Sequence, residues 1–301
     1  MSSPRAHLVD ASIYVFRAWH RCTPDRFDRD GEPVHAVLGF AAFLLELLER
    51  ERPRALALVF DDRREHCDRR AIYPAYKSGR PSAPPELRRQ FQDCRALARA
   101  AGLPEFASQR VEGDDVLATL AANPRRQGWR HTVISGDKDL AQLVRTGDEW
   151  WDYERDRRLD MRGIRRKFGV APHQIPDLLA LAGDPGDSIP GVPGVGRPTA
   201  ARLLRRWEDL DGVFANLDRV RVMQFRGAPQ VAARLREYEA TVRMARRLTG
   251  ALHAEGLPET PEALIPAEPD RDALEALFAR LGFTDDERRR WTRVLDAGVP
   301  A

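Results

Sequence analysis

The chain has 301 residues, 43% of them hydrophobic, and its apolar runs fall short of the roughly 18 residues that a membrane span needs. Its 49 basic and 46 acidic residues leave a net charge of +3. The three cysteines lack a CxxC pair, which argues against a disulfide framework or a zinc site. The first residues resemble no targeting segment, so we expect a cytoplasmic protein without membrane partners.

Strand and helix patterns alternate over the first 170 residues. Strands are predicted from short apolar or β-branched runs at 6–10, 54–61, 131–135 and 149–153. Helices are predicted from apolar residues recurring every three or four positions at 34–51, 85–102 and 114–122. The alternation predicts an α/β domain, residues 1–170, with a mostly parallel central sheet flanked by helices.

Strand signals fade beyond residue 170, and helical patterns dominate residues 171–301. A Gly/Pro-rich stretch at 182–199 interrupts them, and a proline-rich piece at 256–269 leads to two final helices. We therefore predict a second, helical region over 171–301.

Three carboxylates crowd into four positions at the start of a predicted helix, in the stretch "VEGDDVLATLA". Glu112, Asp114 and Asp115 there could cap free backbone N–H groups, since acidic side chains favour the first turn of a helix. Three so close together also repel one another unless a cation relieves them. The cluster by itself leaves capping and metal binding open.

Further carboxylates follow the predicted strands. Asp10 ends the first strand, Asp61 ends the second, and Asp137 and Asp139 come just past the third. Because ligands gather at the carboxyl ends of parallel strands, we expect these residues to meet the 112–115 cluster there. Any one of them could be a helix cap, but seven carboxylates at one edge favour divalent cations.

The ligand type favours Mg²⁺ or Mn²⁺ over zinc, because oxygen donors dominate. His66 and Cys67 lie near Asp61 but match no metal motif, and we interpret them as a surface turn or a partly buried pair. A site with many carboxylates beside cationic segments suggests two metal ions acting on a phosphodiester.

The cations are strongly biased toward arginine. Lys77, Lys138 and Lys167 are the only lysines among the 49 basic residues. Arginine-rich runs at 157–168, 202–207 and 288–291 are either solvated faces or surfaces that contact phosphates. Where lysine persists against this bias, arginine is expected to be a poor substitute.

Six blocks of sequence together resemble a known family: "LVDASIYVFRAWH", "VFDD", "YPAYKSGRP", "VEGDDVLATLA", "SGDKDLAQL" and "GDPGDSIPGVPGVGRPTAARLL". In this order they are similar to the 5′ nucleases, the flap-endonuclease-like enzymes that include the N-terminal domain of bacterial DNA polymerase I. The resemblance covers most of residues 6–250. No polymerase portion follows, so a stand-alone member is expected.

The resemblance implies a PIN-like 5′ nuclease core that hydrolyses DNA with two divalent metal ions. It further implies a monomer acting on 5′ ends, flaps and single-strand/duplex junctions in DNA repair and replication, as a bacterial-type, nucleoid-associated activity. It assigns metal-binding roles to Asp10, Asp61, Glu112 and Asp114 around one ion, and to Asp115, Asp137, Asp139 and Asp187 around the other, with Asp184 nearby.

Two further regions take their roles from the resemblance. An arch or clamp near 72–90 would place Tyr76 to stack on a terminal base, with Lys77 and Arg80 meeting the scissile phosphate. A helix-hairpin-helix (H3TH) near 177–206 would hold the DNA backbone, and often K⁺, through Gly191, Val192, Gly194, Val195, Gly196, Arg197 and Thr199. Pro198 departs from the family, which usually has lysine there.

Two other functions fit parts of this pattern. A PIN-type RNase, or a 5′ nuclease for RNA:DNA hybrids, would also gather carboxylates on an α/β sheet. A non-catalytic DNA-binding module could be built on the hairpin alone. The full carboxylate set counts against pure binding, and the hairpin and arch-like block count against a PIN RNase.

Overall fold

The structure is a computed structural model that describes residues 3–61 and 68–298. His66 and Cys67, interpreted above as a turn or a buried pair, lie outside the described residues. No helix in the described ranges is long and apolar enough to cross a membrane.

A six-stranded sheet forms the centre of the N-terminal half, in the order β3-β2-β1-β4-β5-β6. Its strands are β1 (Arg5–Asp10), β2 (Ala55–Val59), β3 (Glu105–Phe106), β4 (Arg130–Ile134), β5 (Glu149–Asp152) and β6 (Arg157–Leu159). All neighbours pair in parallel except β5 and β6, which are antiparallel. The predicted mostly parallel sheet is confirmed, whereas β3 and β6 are too short to give a sequence pattern.

Fourteen α-helices accompany the sheet in the described part of the chain. They are α1 (Ala11–Arg21), α2 (His35–Glu51), α3 (Asp68–Ile72), α4 (Pro85–Ala100), α5 (Gly113–Arg125), α6 (Met161–Phe168), α7 (Ile175–Ala182), α8 (Arg197–Trp207), α9 (Leu210–Ala215), α10 (Leu217–Arg221), α11 (Ala228–Glu237), α12 (Glu239–Thr249), α13 (Arg271–Leu281) and α14 (Asp285–Asp296). The three predicted helices correspond to α2, α4 and α5.

Each face of the sheet has its own hydrophobic core. Leu8 belongs to the cluster that includes residues of α5, α7, α8 and α12, whereas its neighbour Val9 belongs to the cluster of α1, α2 and α4. Successive residues of a strand point to opposite faces, which explains this division. Because helices cover both faces, β2 is buried at every position and is apolar throughout.

The last two helices return to the N-terminal half. Phe278 of α13 and Trp291 of α14 are buried in the same cluster as α2 and α4. Arg290 of α14 also forms an ion pair with Glu49 of α2. The division at 170–171 into two domains therefore stays a prediction, since residues beyond it complete a core that begins before it.

Candidate functional site

The carboxyl ends of the central strands bring together residues that are far apart in the sequence. Asp10 is the last residue of β1, Asp61 follows β2, and Asp137 follows β4, with β1 lying between the other two strands. The start of α5 abuts this edge, because a Cβ at Gly113 would lie 3.6 Å from the Cβ of Asp61. The predicted convergence at the sheet edge is what the topology produces.

Asp10 is held rigidly at this edge. One carboxylate oxygen accepts a hydrogen bond from the backbone of Ile13 at 3.3 Å, and the other accepts one from the Ser135 hydroxyl at 2.8 Å. Burial raises the pKa of Asp10 to about 7, and the charges of Asp137 and Asp61 add to the increase.

Two further carboxylates, those of Asp139 and Asp114, also have raised pKa values. Burial raises the pKa of Asp139 to about 7, and the charges of Asp137 and Asp184 add to it. Burial also raises the pKa of Asp114 well above its usual range, with Asp137 and Asp10 contributing repulsion. These shifts show that the five acidic side chains lie close enough to repel one another.

Cations neutralise the other part of the site. The Lys77 ammonium lies 2.8 Å from both carboxylate oxygens of Glu112 and 3.5 Å from Asp187. Arg80 pairs with Asp187 as well. Burial alone would raise the pKa of Glu112, but the charges of Lys77 and Arg69 lower it. The site thus divides into a repulsive cluster (Asp10, Asp114, Asp137, Asp139 and Asp184) and a neutralised pair (Glu112 and Asp187).

Tyr76 does not lie where a base could stack on it. Its ring is 3% exposed and belongs to the core, and its hydroxyl donates to Glu112 at 2.9 Å. The expectation of an open aromatic face is therefore wrong for this structure. The Tyr-Pro-Ala-Tyr sequence gave no sign of which tyrosine would be buried, and Tyr76 instead orients Glu112.

Asp115 is also corrected from a metal ligand to a structural residue. It is fully buried, and Arg69 donates to both of its carboxylate oxygens, at 2.5 and 2.7 Å. Backbone N–H groups of Leu252 and Glu112 donate to the same carboxylate at 2.7 and 3.1 Å. With these four donors, Asp115 has no oxygen lone pair left to offer an ion.

Arg69 is the residue of this site that the sequence analysis missed. Its side chain is almost completely buried, and it also donates to the carbonyls of Leu248 and Gly250 at 2.8 and 3.0 Å. In a chain with 46 arginines among its 49 cations, nothing in the sequence distinguishes this one.

In the segment predicted as an arch, residues 73–84 form no helix. α3 ends at Ile72, a run of turns carries Lys77 and Arg80, and α4 begins at Pro85 after the proline-rich stretch. A cavity of about 430 Å³ lies between this segment and residues 109–112. Lys77, Arg80 and Arg88 line it together with Phe16, Phe60 and Phe91, so the space is both cationic and aromatic.

The hairpin predicted near 177–206 is formed by α7, a glycine-rich loop and α8. Val192 and Val195 are buried, and their N–H groups donate to Leu181 and to Val192 within the protein. Their side chains therefore anchor the loop, and the contact of these two residues with DNA stays a prediction. Gly191 packs on Gly183, where any Cβ would collide with the backbone.

The outer part of the hairpin remains open. Gly194 has φ +78, and Gly196 is the N-cap of α8. The N–H groups of these glycines and of Arg197 and Thr199 have no protein partner within residues 3–61 and 68–298. They could donate to a phosphate at the positive end of α8.

The donor set fits a divalent cation by its chemistry. All the crowded side chains are carboxylates, and their raised pKa values show a deficit of positive charge. In the described ranges, no three His, Cys, Asp or Glu side chains are grouped as they would be around one ion. The fit therefore rests on the type and crowding of the donors.

Two family models together match most of the chain. Residues 5–169 match the 5'-3' exonuclease N-terminal resolvase-like domain, and residues 170–272 match the 5'-3' exonuclease C-terminal SAM fold. The chain belongs to the 5'-3' exonuclease family.

Curated relatives in this family are DNA polymerases I. The chain is 38% identical over 284 residues to the enzyme of Pseudomonas aeruginosa, covering 94% of this chain and 31% of the relative. It is 36% identical over 279 residues to the thermostable enzyme of Thermus caldophilus, covering 93% of this chain and 32% of the relative. The chain thus spans about a third of the length of these relatives.

Solved structures share the fold. The T5 5'-exonuclease, described with zinc bound, matches with a TM-score of 0.66 at 18% identity, covering 98% of this chain and all of that one. The catalytic core of Rad2 in complex with DNA substrate matches with a TM-score of 0.65 at 14% identity, covering 97% of this chain and 93% of that one. These matches support the α/β core with its helical C-terminal region.

Proposed function

We propose that this chain is a structure-specific 5′ nuclease that hydrolyses phosphodiester bonds of DNA at or near 5′ ends and flaps. The observation that carries the proposal is the divided site, in which repelling carboxylates lie directly beside Lys77 and Arg80. Carboxylates that need cations and cations that can meet a phosphate are both required for metal-assisted phosphodiester hydrolysis.

Two divalent ions, Mg²⁺ or Mn²⁺, are the proposed cofactors. Asp10, Asp61, Glu112 and Asp114 would hold one, and Asp137, Asp139, Asp184 and Asp187 would hold the other, with Asp115 acting only through Arg69. When bound, such ions activate water and neutralise charge on the phosphate. The zinc bound to the T5 5'-exonuclease, and the T5 D15 protein co-crystallised with metal ions, support this assignment.

The residues of this chain have separable tasks in the proposal. Lys77 and Arg80 would release Glu112 and Asp187 to the cations and turn to the scissile phosphate. Tyr76 would keep Glu112 oriented throughout. The cavity beside them would hold the unpaired 5′ strand, and Gly191, Gly194, Gly196, Arg197 and Thr199 of the hairpin would form or hold the loop that receives the duplex backbone.

Several finer points belong to the same proposal. The domain limits 1–170 and 171–301, action as a monomer, and a nucleoid-associated role in DNA repair and replication remain proposals. A K⁺ ion at the hairpin loop is proposed as well, although the carbonyl of Pro193 already accepts a hydrogen bond from Arg234 at 2.9 Å.

Removal of divalent metal should abolish cleavage of a labelled 5′-flap DNA while leaving DNA binding largely intact. Binding persists because Lys, Arg and the hairpin also hold phosphates. Cleavage is measured in Mg²⁺ and in excess EDTA, and binding by fluorescence anisotropy in EDTA.

Matched substrates separate the alternatives. Cleavage that continues undiminished in EDTA would contradict the metal-dependent mechanism. Faster cleavage of single-stranded RNA than of flap DNA would favour a PIN-type RNase. Binding without cleavage in either metal would favour a DNA-binding module.

A further inference from the structure

All three lysines of the chain lie around the carboxylate site. Lys77 neutralises Glu112, as described. Lys138 lies between Asp137 and Asp139 in the sequence, and its charge acts on Asp139. Lys167, at the end of α6, is close enough to Lys138 for the two charges to interact. Lys77 therefore lies on the Glu112 side of the site, and Lys138 and Lys167 lie on the Asp139 side.

Trp150 fixes Lys167 to the site. The Lys167 ammonium lies 4.7 Å from the centroid of the Trp150 ring, a cation–π distance. The indole N–H of the same ring donates to the carbonyl of Asp137 at 3.0 Å. The buried side chain of Trp150 thus contacts both the Lys167 ammonium and the backbone of Asp137.

Two arginines add to the positive charge around Lys167. Arg155 and Arg157 lie near Lys167, and both pair with the buried Asp152. Neither Lys138 nor Lys167 pairs with a carboxylate within the described ranges. The ammonium groups of Lys138 and Lys167 are therefore available for a phosphate, beside two arginines that share Asp152.

Its surroundings disfavour the charged form of Lys167 in the free protein. Partial burial lowers the pKa of Lys167, and the charges of Arg157, Arg155 and Lys138 lower it further. A solvated cationic face, the alternative interpretation of the 157–168 run, would spread its charges into water. Lys167 is exposed, like Arg162, Arg165 and Arg166, but its ammonium lies over the Trp150 ring and is thereby held beside the site.

We propose that Lys138 and Lys167, with Arg155 and Arg157, form a second phosphate-binding surface that holds a DNA strand where it leaves the carboxylates on the Asp139 side. This surface rests on the proposed nuclease function and extends it. A strand crossing the site would meet Lys77 on one side of the carboxylates and this surface on the other. Because ammonium groups act on phosphates as point charges, the surface positions the strand without reading bases.

Salt dependence of DNA binding tests the surface. Affinity of the full chain for a 5′-flap DNA is measured by anisotropy in EDTA over roughly 50 to 200 mM salt. Lys138→Ala and Lys167→Ala should each weaken binding several-fold and reduce the slope of log affinity against log salt by about 0.7 to 0.9. Lys138→Arg and Lys167→Arg should restore the slope, which also controls for misfolding.

Arg166→Ala is the matched control. It removes one positive charge from α6 at the position next to Lys167, from a side chain that is exposed as Lys167 is. We expect its slope to equal that of the wild type. If Arg166→Ala changes the slope as much as Lys167→Ala does, these cations attract DNA only through their long-range electrostatic field, without a specific phosphate contact. The proposal is then overturned.

Methylphosphonate substitution locates the contact. Neutralising the phosphate that Lys167 holds should weaken wild-type binding but not weaken binding of Lys167→Ala further. Additive effects at every phosphate position would overturn the proposal. Cleavage of the unmodified 5′-flap DNA by the wild-type protein in Mg²⁺ is measured separately. If the wild-type protein does not cleave this DNA, the nuclease function is contradicted. If it does, but the Lys138→Ala and Lys167→Ala variants keep the wild-type salt slope, only the proposed surface is contradicted.

Discussion

At the scale of single residues, Lys77 has the most constrained position in the site. Its backbone has φ +51, in the left-handed region that non-glycine residues rarely adopt. Its N–H donates to the carbonyl of Asp187, and its side chain is held by Glu112. Contacts at both ends thus keep a strained residue in place, and strain of this kind concentrates at functional sites.

Replacing Lys77 tests its role in the reaction. We expect Lys77→Ala to lower the single-turnover rate on a 5′-flap substrate by about 10²-fold or more, the scale of losing one well-placed electrostatic donor. Lys77→Arg should recover only part of this rate, because a planar guanidinium presents its donors differently. The rate is measured with enzyme in excess.

Duplex affinity should change little in either variant, since many other cations contact the backbone. A wild-type rate for Lys77→Ala would remove Lys77 from the catalytic residues. Full rescue by Lys77→Arg would contradict the requirement for lysine.

At the scale of elements, the Arg69–Asp115 pair joins three segments of the chain. Arg69 lies in α3, Asp115 lies in the first turn of α5, and both bond to the backbone of residues 248–252, at the end of α12 and just beyond it. The first turn of α5 also carries Asp114, and Glu112 is its N-cap. The pair therefore fixes the helix end that presents carboxylates to the site.

Breaking this pair should destabilise the protein strongly. Arg69→Met leaves the buried Asp115 charge without its partner, which costs about 3 to 5 kcal/mol of unfolding free energy. Asp115→Asn should cost a similar amount, and the double variant should cost less than the sum of the two. Urea unfolding of the metal-free protein measures these values.

Asp114→Asn is the matched control at the neighbouring position. Burial and repulsion raise the pKa of Asp114, so neutralising it should leave stability equal or higher while abolishing cleavage. If Asp115→Asn instead behaves like Asp114→Asn, the original assignment of Asp115 as a metal ligand is right and the structural assignment is wrong.

At the scale of the whole molecule, the crowded carboxylates make stability depend on pH. The pKa values of Asp10 and Asp139 rise from 3.8 to about 7 on folding, so the folded state binds these protons more tightly than the unfolded state. Their contribution is fully present below pH 3.8 and is lost as the pH rises through about 7. The pKa values of Glu51 and Asp148 are lowered to about 2. Their contribution to stability is therefore present at neutral pH and is lost only as the pH falls toward 2.

Metal should therefore stabilise the protein most above neutral pH. We expect the Tm in EDTA to fall between pH 6 and pH 8, and Mg²⁺ to raise it more at pH 8 than at pH 6. Asp139→Asn should raise the Tm in EDTA at pH 8 by about 2 °C or more, the shift that roughly 1 kcal/mol produces in a chain of this size. Differential scanning fluorimetry measures all three.

The same variant should lose most of its cleavage activity and part of its stabilisation by Mg²⁺. A sharp loss of Tm in Asp139→Asn would show that Asp139 serves as a structural cap of the segment after β4. That result would leave the raised pKa without a role in metal binding.

The sequence by itself determined the sheet, its main helices, the edge at which carboxylates gather and the family. The mostly parallel sheet follows from strand runs that alternate with helical ones, and parallel strands place residues such as Asp10 and Asp61 at one edge whatever the details of packing. Short elements such as β3, with two residues, leave no periodic pattern to detect.

Only the tertiary structure decided which polar residues face the site and which form all their hydrogen bonds within the protein. Asp114 and Asp115 are adjacent carboxylates with the same sequence context, yet one is left in the repulsive cluster and the other is saturated by Arg69. Tyr76, Val192 and Val195 were likewise placed by packing rather than by motif. The reason is physical: the direction of a side chain and its partners depend on segments from about 40 to more than 130 residues away, which no local pattern encodes.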